Sequence, residues 1–354
     1  MTATRRRLCV LLGTASLAGC TDIVERIESG PEPGADDPSE TEDESETPET
    51  DEEPTATEEE RQDDEDESTP EEDDEAVDLR ERESELPELV RESLSASRGQ
   101  ILTALETYAS SAGGEPDPAI ALESVSLLAE PDRIDVGREL STAEDRLSGG
   151  VSRADRQGID DEPFRRLVGL LEAEIESLRR ATEAHETLAE ACGTVESVVE
   201  LADQRAYRLA EDEHEELGER SAATEAALSD ATAAVEPIET ATDAELAALE
   251  ATGHAELVDR LEAGSVALST YDDALGAVPS AFSDLEDAEV ALGSDDDRAF
   301  RLATNTIDAL EAVEAAIEAA EPPGSVEPLE TDLLEHIGEK LERAREVREE
   351  ADES

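Results

Sequence analysis

The 354-residue sequence predicts an all-α protein: a multi-helix antiparallel bundle or an array of helical hairpins, preceded by a disordered acidic stalk. Three observations predict this fold class. From about residue 79 onward, apolar residues recur three or four positions apart, as on one face of an α-helix. Alternating apolar and polar runs and Asn-Gly or Asp-Gly turns, which indicate strands, are nearly absent. Gly and Pro interrupt the pattern at short intervals, so successive helices are expected to pack antiparallel.

Helix boundaries in the first part of this region follow from Pro, Gly and capping residues. Three helices are predicted before residue 150: about 86–113, a short helix between Asp117-Pro118 and Pro131, and about 133–147, which ends at Gly149-Gly150. The longest uninterrupted pattern runs from Glu162 to Cys192. Asp160 or Asp161 caps it and Gly193 ends it, because a carboxylate accepts from free N–H groups and glycine tolerates the left-handed conformation at a helix end.

Seven further helices complete the predicted domain: about 195–217, 219–236, 243–252, 255–278, 280–292, 296–321 and 326–351. Thr242 and Glu245 have the spacing of a capping box. Asp295 is interpreted as a helix N-cap, because the three aspartates that it begins lack the glycine and distal glutamate of a calcium loop. The helical domain is therefore expected to span 79–354, either as one bundle or as two sub-bundles of about 79–192 and 193–354.

Residues 30–78 differ sharply in composition from the rest of the chain. They contain 26 acidic residues, one basic residue, six prolines and no aromatic residue. Such a segment cannot bury enough apolar surface to offset its chain entropy, so it is predicted to be a disordered linker. It would tether the helical domain to the N-terminus.

The first twenty residues have the organisation of an export signal. Arg5, Arg6 and Arg7 precede the apolar run 8–12, and a small-residue stretch follows. About 12 weakly apolar residues are too few to cross roughly 30 Å of hydrocarbon. Residues 1–19 are therefore predicted to be a signal peptide and not a transmembrane helix.

The end of this signal resembles a lipobox, the L-[AS]-[GA]-C signature of lipoproteins. The residues that carry the resemblance are Leu17, Ala18, Gly19 and Cys20. The resemblance implies cleavage before Cys20, a diacylglyceryl group on its sulfur, and a lipid-anchored N-terminus over residues 20–29. The chain would then be held at the outer face of the cytoplasmic membrane.

The run from Thr4 to Leu8 resembles the twin-arginine export motif, with Arg5 and Arg6 as the paired arginines. This resemblance implies export in the folded state. The general secretory route stays open, because a basic start suits both pathways.

Charge is the dominant feature of the composition. The formal net charge is −70, from 98 acidic and 28 basic residues, and Lys340 is the single lysine. At molar salt the Debye length falls to about 3 Å and screens the self-repulsion of such a surface. The balance resembles that of haloarchaeal proteins, so solubility in brine accounts for most of the acidity. Nucleic acid is not expected as a partner, because there is no basic patch to neutralise phosphates.

Motifs for catalysis or cofactor binding are nearly absent. Glu211 and His214 form one Glu-x-x-His element, of which di-iron bundles use two. They are weak metal candidates only, and no cofactor is predicted. The sequence has no phosphate-binding Gly-rich loop, nucleophile elbow or Cys-x-x-Cys pair, so it does not predict an enzyme.

The remaining thiol and the aromatic residues are predicted to be core residues. Cys192, left over after Cys9 and Cys20, is expected to be a packed hydrophobe at a helix end. Six aromatic residues fall in the helical domain with helical spacing: Tyr108, Phe164, Tyr207, Tyr271, Phe282 and Phe300.

One internal similarity relates two parts of the domain. The segment 205–210 recurs at 298–303, an offset of 93 residues that Leu217 and Leu310 also share. Two copies of a helix pair would produce this similarity, and so would chance in a chain rich in Ala, Glu, Arg and Leu.

Together these features predict a lipid-anchored, extracytoplasmic helical protein that acts as an interaction or scaffolding module of the cell envelope. An envelope protein is its expected partner, and the membrane is contacted through the N-terminal lipid. The alternative is a solute- or metal-binding lipoprotein that serves a transporter. A cleft lined by converging His, Arg or Tyr would favour the alternative, and a long exposed helical surface would favour the first interpretation.

Overall fold

Eleven α-helices and no β-strand make up residues 79–353, the part of the chain that the computed structural model describes. The predicted all-α class is confirmed. In chain order the helices are α1 (Leu79–Ser84), α2 (Glu88–Ser111), α3 (Ala121–Ser124), α4 (Arg133–Gln157), α5 (Glu162–Asp203), α6 (Tyr207–Glu239), α7 (Asp243–Leu246), α8 (His254–Leu275), α9 (Val278–Ala291), α10 (Asp296–Glu318) and α11 (Glu327–Glu353). The predicted signal peptide, lipidated segment and acidic linker lie outside the described residues.

The long helix α5 is the element against which most of the others pack. Its contacts are most extensive with α6, and it also touches α1, α2, α4, α8, α9 and α11. The Asp161 side chain accepts from the Phe164 N–H at its start, and a proline follows in the first turn, as predicted. Buried residues occur on several sides of α5, because neighbours surround it. A helix that is apolar on more than one face is stable only in such a position.

Neighbouring helices form antiparallel pairs, and their cross-contacts show the directions. The Ser97 hydroxyl of α2 donates to the Ala143 carbonyl of α4 at 2.8 Å, while Gly150 lies against Ser93. The pairs α5–α6 and α9–α10 are also antiparallel. By contrast α8 runs parallel to α5, since its first residue meets Ser177 and its Gly264 meets Leu188.

Several predicted helix ends are wrong. Gly149-Gly150 lies inside α4, and Gly193 lies inside α5, which continues to Asp203. Gly150 instead permits close packing, because a Cβ there would lie 3.2 Å from the Ser93 Cβ. The predicted break between 217 and 219 is absent, since α6 runs through Gly218 and ends only after Pro237.

The division into two sub-bundles stays a prediction, and its proposed boundary at 192/193 falls within α5. The 93-residue similarity also stays a prediction. Arg298 lies in the first turn of α10, whereas Arg205 precedes α6. Further along both copies Leu217 and Leu310 are buried.

A turn between α5 and α6 interrupts the predicted helix of about 195–217. The Ala206 N–H donates to the Leu201 carbonyl and the Arg205 N–H to the Ala202 carbonyl. These are the two hydrogen bonds of a Schellman motif, and Arg205 occupies its left-handed position with φ of 62°. Glycine usually fills that position because a Cβ destabilises it, so this helix end was not predictable from residue type.

The other predicted caps are confirmed. Thr242 and Glu245 make both hydrogen bonds of the capping box at the start of α7. The Asp295 side chain accepts from the Arg298 N–H at the start of α10. Short polar side chains before an apolar period are reliable signals because they satisfy N–H groups locally.

Most of the predicted core aromatics are buried, but one is not. Tyr108, Phe164, Tyr271 and Phe282 are at most 4% exposed, whereas Phe300 is 38% exposed on α10 and its prediction as a core residue is wrong. Tyr207 is half-buried.

Cys192 is a buried free thiol, as predicted, but it lies within α5 and not at a helix end. Burial raises the pKa of this thiol to about 12, so it stays protonated near neutral pH. An inert, packed thiol is the result.

Candidate functional site

Two buried histidines lie against α5 in different surroundings. The imidazole of His185, on α5 itself, has Nδ1 2.9 Å from the Tyr108 hydroxyl and Nε2 3.0 Å from the Ser126 carbonyl. A carbonyl only accepts, so Nε2 carries the proton and Nδ1 accepts from the phenol. Burial lowers the pKa of His185 to about 4. This histidine is therefore neutral and fully hydrogen-bonded, and it joins α2, α5 and the segment after α3.

The second histidine, His254, begins α8 and lies beside a buried carboxylate. Its Nδ1 is 3.0 Å from the Ser177 hydroxyl, and its Nε2 is 4.0 Å from Glu174 Oε1. That same oxygen accepts the backbone N–H groups of Glu250 and Ala251, each at 2.8 Å. Glu174 thus binds the chain that leads into α8 to the middle of α5.

The residue types of this second cluster are those of a serine hydrolase triad, but the arrangement is closed. Glu174 is 0% exposed, Ser177 is 1% exposed and His254 is 3% exposed. A nucleophile must reach its substrate, and these side chains do not. Within the described residues Glu174 Oε2 and His254 Nε2 have no hydrogen-bond partner.

A buried arginine extends this cluster to the start of the domain. Arg98 on α2 pairs with Glu83 of α1 at 2.8 Å and with Glu250 at 3.2 Å. Because the Glu250 N–H binds Glu174, one polar network links α1, α2, α5 and α8. We assign it a structural role.

The first accessible site is a small cleft where α5 ends and α6 begins, between α9 and α11. We call it the ionic cleft and define it by Asp203, Arg205, Tyr207, Phe282, Glu286, Glu289, Glu339, Lys340 and Arg343. Its volume is about 200 Å³. Three cationic and four anionic side chains converge there, in addition to the Tyr207 hydroxyl.

Ion pairs across the ionic cleft join four helices. Arg205 Nη1 is 2.6 Å from Glu286 Oε1, and the Tyr207 hydroxyl donates to Glu286 Oε2 at 2.8 Å. Arg343 Nε is 2.6 Å from Glu289 Oε1. Burial together with the hydrogen bond to Glu286 raises the pKa of Tyr207 to about 12, so the phenol keeps its proton.

Lys340 is the one lysine among the residues that line the cleft. Its ammonium is 2.5 Å from Asp203 Oδ1 and 5.2 Å from the centroid of the Phe282 ring. A cation within about 6 Å of an aromatic face is attracted by the ring quadrupole. The side chain is 28% exposed, so solvent and solutes reach it.

The second accessible site is an open groove between α6 and α8, with a volume of about 900 Å³. We call it the α6–α8 groove. Buried Leu228 and Ser265 and exposed Val266 line it, and its acidic lining residues are Glu225, Glu236, Glu239 and Glu262. Val266 is 66% exposed. Among the described residues that line it, none is basic or aromatic.

The predicted metal candidates do not come together with further ligands. His214 Nε2 is 2.8 Å from the Asp272 carbonyl and 3.2 Å from Asp272 Oδ1, whereas Glu211 is exposed. Burial raises the pKa of the Asp272 carboxyl. Over residues 79–353 no group of three or more His, Cys, Asp or Glu side chains is arranged to hold a metal ion.

The other predicted site residues lie before the described part of the chain. They are Arg5 and Arg6 of the export signal and Leu17, Ala18, Gly19 and Cys20 of the lipobox. None of the helices from α1 to α11 is long and apolar enough to span a bilayer.

Sequence reasoning missed both accessible sites. The one available signal for the ionic cleft was Lys340, the only lysine in a chain that otherwise uses arginine. The α6–α8 groove had no signal, because Ser, Ala and Glu on helix surfaces are common throughout the chain.

Comparison with known proteins gives no relative: no protein-family model, curated protein or solved structure matches this chain.

Proposed function

We propose that this protein is a lipid-anchored module of the cell envelope at the outer face of the cytoplasmic membrane, exported through the signal 1–19 and attached to the membrane through Cys20. Its helical domain holds one helix of an envelope protein in the α6–α8 groove. The single observation that supports a protein partner is this groove, which is wide and open and contains no His, Arg or Tyr among its described lining residues. Small-molecule sites instead enclose their ligand and present a few convergent polar groups.

The length of the groove fits a helix. Its residues on α6 run from Glu225 to Glu239, which corresponds to about 21 Å at a rise of 1.5 Å per residue. Three to four turns of a partner helix would cover it. Leu228 and Val266 offer apolar contact, and small residues such as Ser229 and Ala233 allow a close approach.

Charge favours a partner helix with Lys or Arg beside a narrow apolar stripe. Many glutamates elsewhere on the surface are paired, as Glu176 is with Arg179 and Arg180. The four groove glutamates have no Arg, Lys or His within 4.0 Å among the described residues. Amphipathic helices that dock in grooves supply such complementary flanks. At high salt these pairs are screened, so the apolar contact carries most of the affinity.

The test is crosslinking of intact membranes at growth salt with a carbodiimide, which activates a carboxylate of this protein and joins it as an amide to a lysine amine of the partner. Because this chain has a single lysine, few links within the chain compete. We expect links from Glu225, Glu236, Glu239 and Glu262 to a basic helical segment of one protein. Val266→Asp places a charge at the apolar surface of the groove and is expected to reduce these links at least roughly tenfold, as loss of an interface anchor does.

The control variant is Val290→Asp, which alters a valine that is 76% exposed on α9, outside the groove. It is expected to leave the links unchanged. Equal losses in both variants, links confined to other helices, or a partner segment without basic residues would each contradict the proposed groove and occupant.

The anchor has its own test. Cys20→Ser removes the sulfur that the lipobox resemblance assigns to lipid, so the variant is expected to leave the membrane fraction or to accumulate unprocessed. A variant that is still processed and membrane-bound would exclude the lipid anchor without affecting the groove.

A further inference from the structure

We propose that the ionic cleft is a binding site for a small zwitterion that carries a carboxylate and an ammonium group on neighbouring atoms. This site is separate from the α6–α8 groove and does not depend on it. Four features of the cleft indicate this ligand: its lysine, its uncommitted polar groups, its size and charge, and the conformation of Arg205.

Lysine is used at one position of 354, and that position lines the cleft. Every other cationic side chain that makes an ion pair in residues 79–353 is an arginine or histidine. An ammonium is compact and has three N–H donors, whereas a guanidinium is broad and planar. Lys340 therefore places a compact charge between Asp203 and the Phe282 ring.

The cleft retains unused hydrogen-bonding capacity of both signs. Among the described residues Lys340 contacts one acceptor, Asp203, so two of its three N–H groups are uncommitted. Arg343 uses Nε and Nη1 on Glu289 and Glu346, which leaves Nη2. These donors suit the carboxylate of a ligand, since charged hydrogen bonds of this kind are the strong ones.

The acceptor for the other end is Glu339. It lines the cleft, and no Arg, Lys or His of the described residues lies within 4.0 Å of its carboxylate. With three cations and four anions the cleft carries a net charge of about −1. A simple anion would leave the Glu339 carboxylate unpaired and would meet the net negative charge of the cleft, and a simple cation would leave the Lys340 donors unused. A zwitterion pairs with both groups, and each contact is a hydrogen bond between charged groups.

The volume restricts the ligand to a small one. About 200 Å³ equals the share of liquid volume of roughly seven water molecules, at about 30 Å³ each. This accommodates a molecule of the size of glycine or alanine.

Arg205 adds an observation from the backbone. It holds a left-handed φ of 62°, a conformation that glycine adopts without the strain of a Cβ. Its guanidinium reaches Glu286 at 2.6 Å, and that carboxylate also accepts from Tyr207. The strained residue therefore fixes one wall of the cleft, a role that glycine does not fulfil.

The experiment is calorimetric titration of the full-length protein in molar salt. The probes are glycine and alanine, compared with acetate and methylammonium, which each carry one of the two charges. We expect saturable binding of the zwitterions, and binding of each single-charge probe at least roughly tenfold weaker, since one charged hydrogen-bonding group is lost. This comparison uses the unaltered protein, so it does not depend on the folding of a variant.

Variants then assign the binding to the cleft. Lys340→Met and Glu339→Gln are each expected to weaken zwitterion binding at least roughly tenfold. The matched control is Arg345→Met, because Arg345 lies on the same helix and pairs with Glu311 at 2.8 Å outside the cleft. No saturation by glycine or alanine, equal affinity for acetate, or wild-type affinity in Lys340→Met would overturn the proposal.

Discussion

His185 and His254 both lie buried against α5, yet the protein holds them by different means. His185 has two neutral partners, a phenol and a carbonyl, and both of its ring nitrogens are satisfied. His254 has a hydroxyl on one nitrogen, while its other nitrogen lies 4.0 Å from the carboxylate of Glu174. The first arrangement buries no charge and the second buries at least one.

The difference shows what each cluster contributes. A satisfied neutral network costs little to bury and fixes a single packing arrangement. A buried carboxylate is expensive to desolvate, and its stability depends on the donors around it. Removal of a member of the Glu174 cluster is therefore expected to cost more than removal of a member of the His185 network.

The largest effect is expected from Glu174→Ala. This change leaves the buried N–H groups of Glu250 and Ala251 without their acceptor and opens a cavity beside the His254 ring, so we expect a loss of about 3 to 5 kcal/mol in the free energy of unfolding. Denaturant unfolding measures it. Glu172→Ala, at an exposed position of the same helix, is the control and is expected to change stability by less than about 0.5 kcal/mol. Similar losses in both would remove the distinction between the clusters.

The second largest effect is expected from the change in stability with pH. Burial lowers the pKa of His185 from 6.5 to about 4, so the unfolded chain binds this proton at a higher pH than the folded one. The contribution of neutral His185 to the free energy of unfolding is complete above about pH 6.5, and it decreases as the pH falls towards 4. One pKa unit corresponds to about 1.36 kcal/mol, so this group accounts for about 3 kcal/mol.

The measurement is the free energy of unfolding at pH 7, 5.5 and 4. The double variant Tyr108→Phe/His185→Leu removes the titrating ring and its donor together, and it is expected to show a shallower decline over this range. An unchanged slope would mean that the pKa of His185 is the same in the folded and the unfolded chain. Carboxyl groups such as Glu245, whose pKa is lowered to about 2 by its hydrogen bond with Arg166, contribute equally in both proteins.

A smaller effect is expected where α8 crosses α5 beyond the His254 cluster. A Cβ on Gly264 would lie 2.9 Å from Leu188 Cδ2 and 3.3 Å from Leu127 Cδ1. Gly264→Ala is therefore expected to destabilise by about 2 kcal/mol through overpacking. A Cβ on Gly99 would have no packed neighbour within 4 Å. We therefore expect Gly99→Ala, which lies in α2, to stabilise the protein by about 0.5 to 1 kcal/mol. Thermal melts that show the same sign for both would contradict the close approach.

Among the destabilising variants, the smallest effect is expected from Tyr108→Phe. It removes one donor from His185 Nδ1 and retains the ring packing, so the expected loss is about 1 to 2 kcal/mol. The edge-to-face contact, with ring centroids 5.7 Å apart, is retained. A loss as large as that of Glu174→Ala would show that the neutral network is no cheaper than the charged one.

Sequence patterns predicted the fold class and the starts of helices better than their ends. Caps at Asp161, Thr242 and Asp295 are local, because one side chain satisfies N–H groups two or three residues away. Gly193 misled the prediction, because a helix that packs on several sides tolerates a glycine of low propensity. Arg205 ends α5 without glycine, since tertiary contacts to α9 hold its strained backbone.

The Glu174 cluster and the ionic cleft could not be predicted from the sequence, for a related reason. Glu174 and the segment 250–251 are about 76 residues apart along the chain, and the acid is one of 98. Only packing selects it from the others. Lys340 was visible as a rarity, but its neighbours in the cleft come from four helices, and no spacing in the sequence relates them.

The attachment of α1 has a mechanical consequence. Arg82 binds the carboxylate of Asp161, the residue that caps α5, and Glu83 binds Arg98. A pulling force that enters the chain at Leu79 therefore acts on the buried Leu79 side chain and on these two ion pairs before it reaches α2. The six-residue α1 would detach from the domain before the longer helices unfold. The remaining load would then spread along α5, a rod of about 63 Å, which transmits it to the helices packed around it.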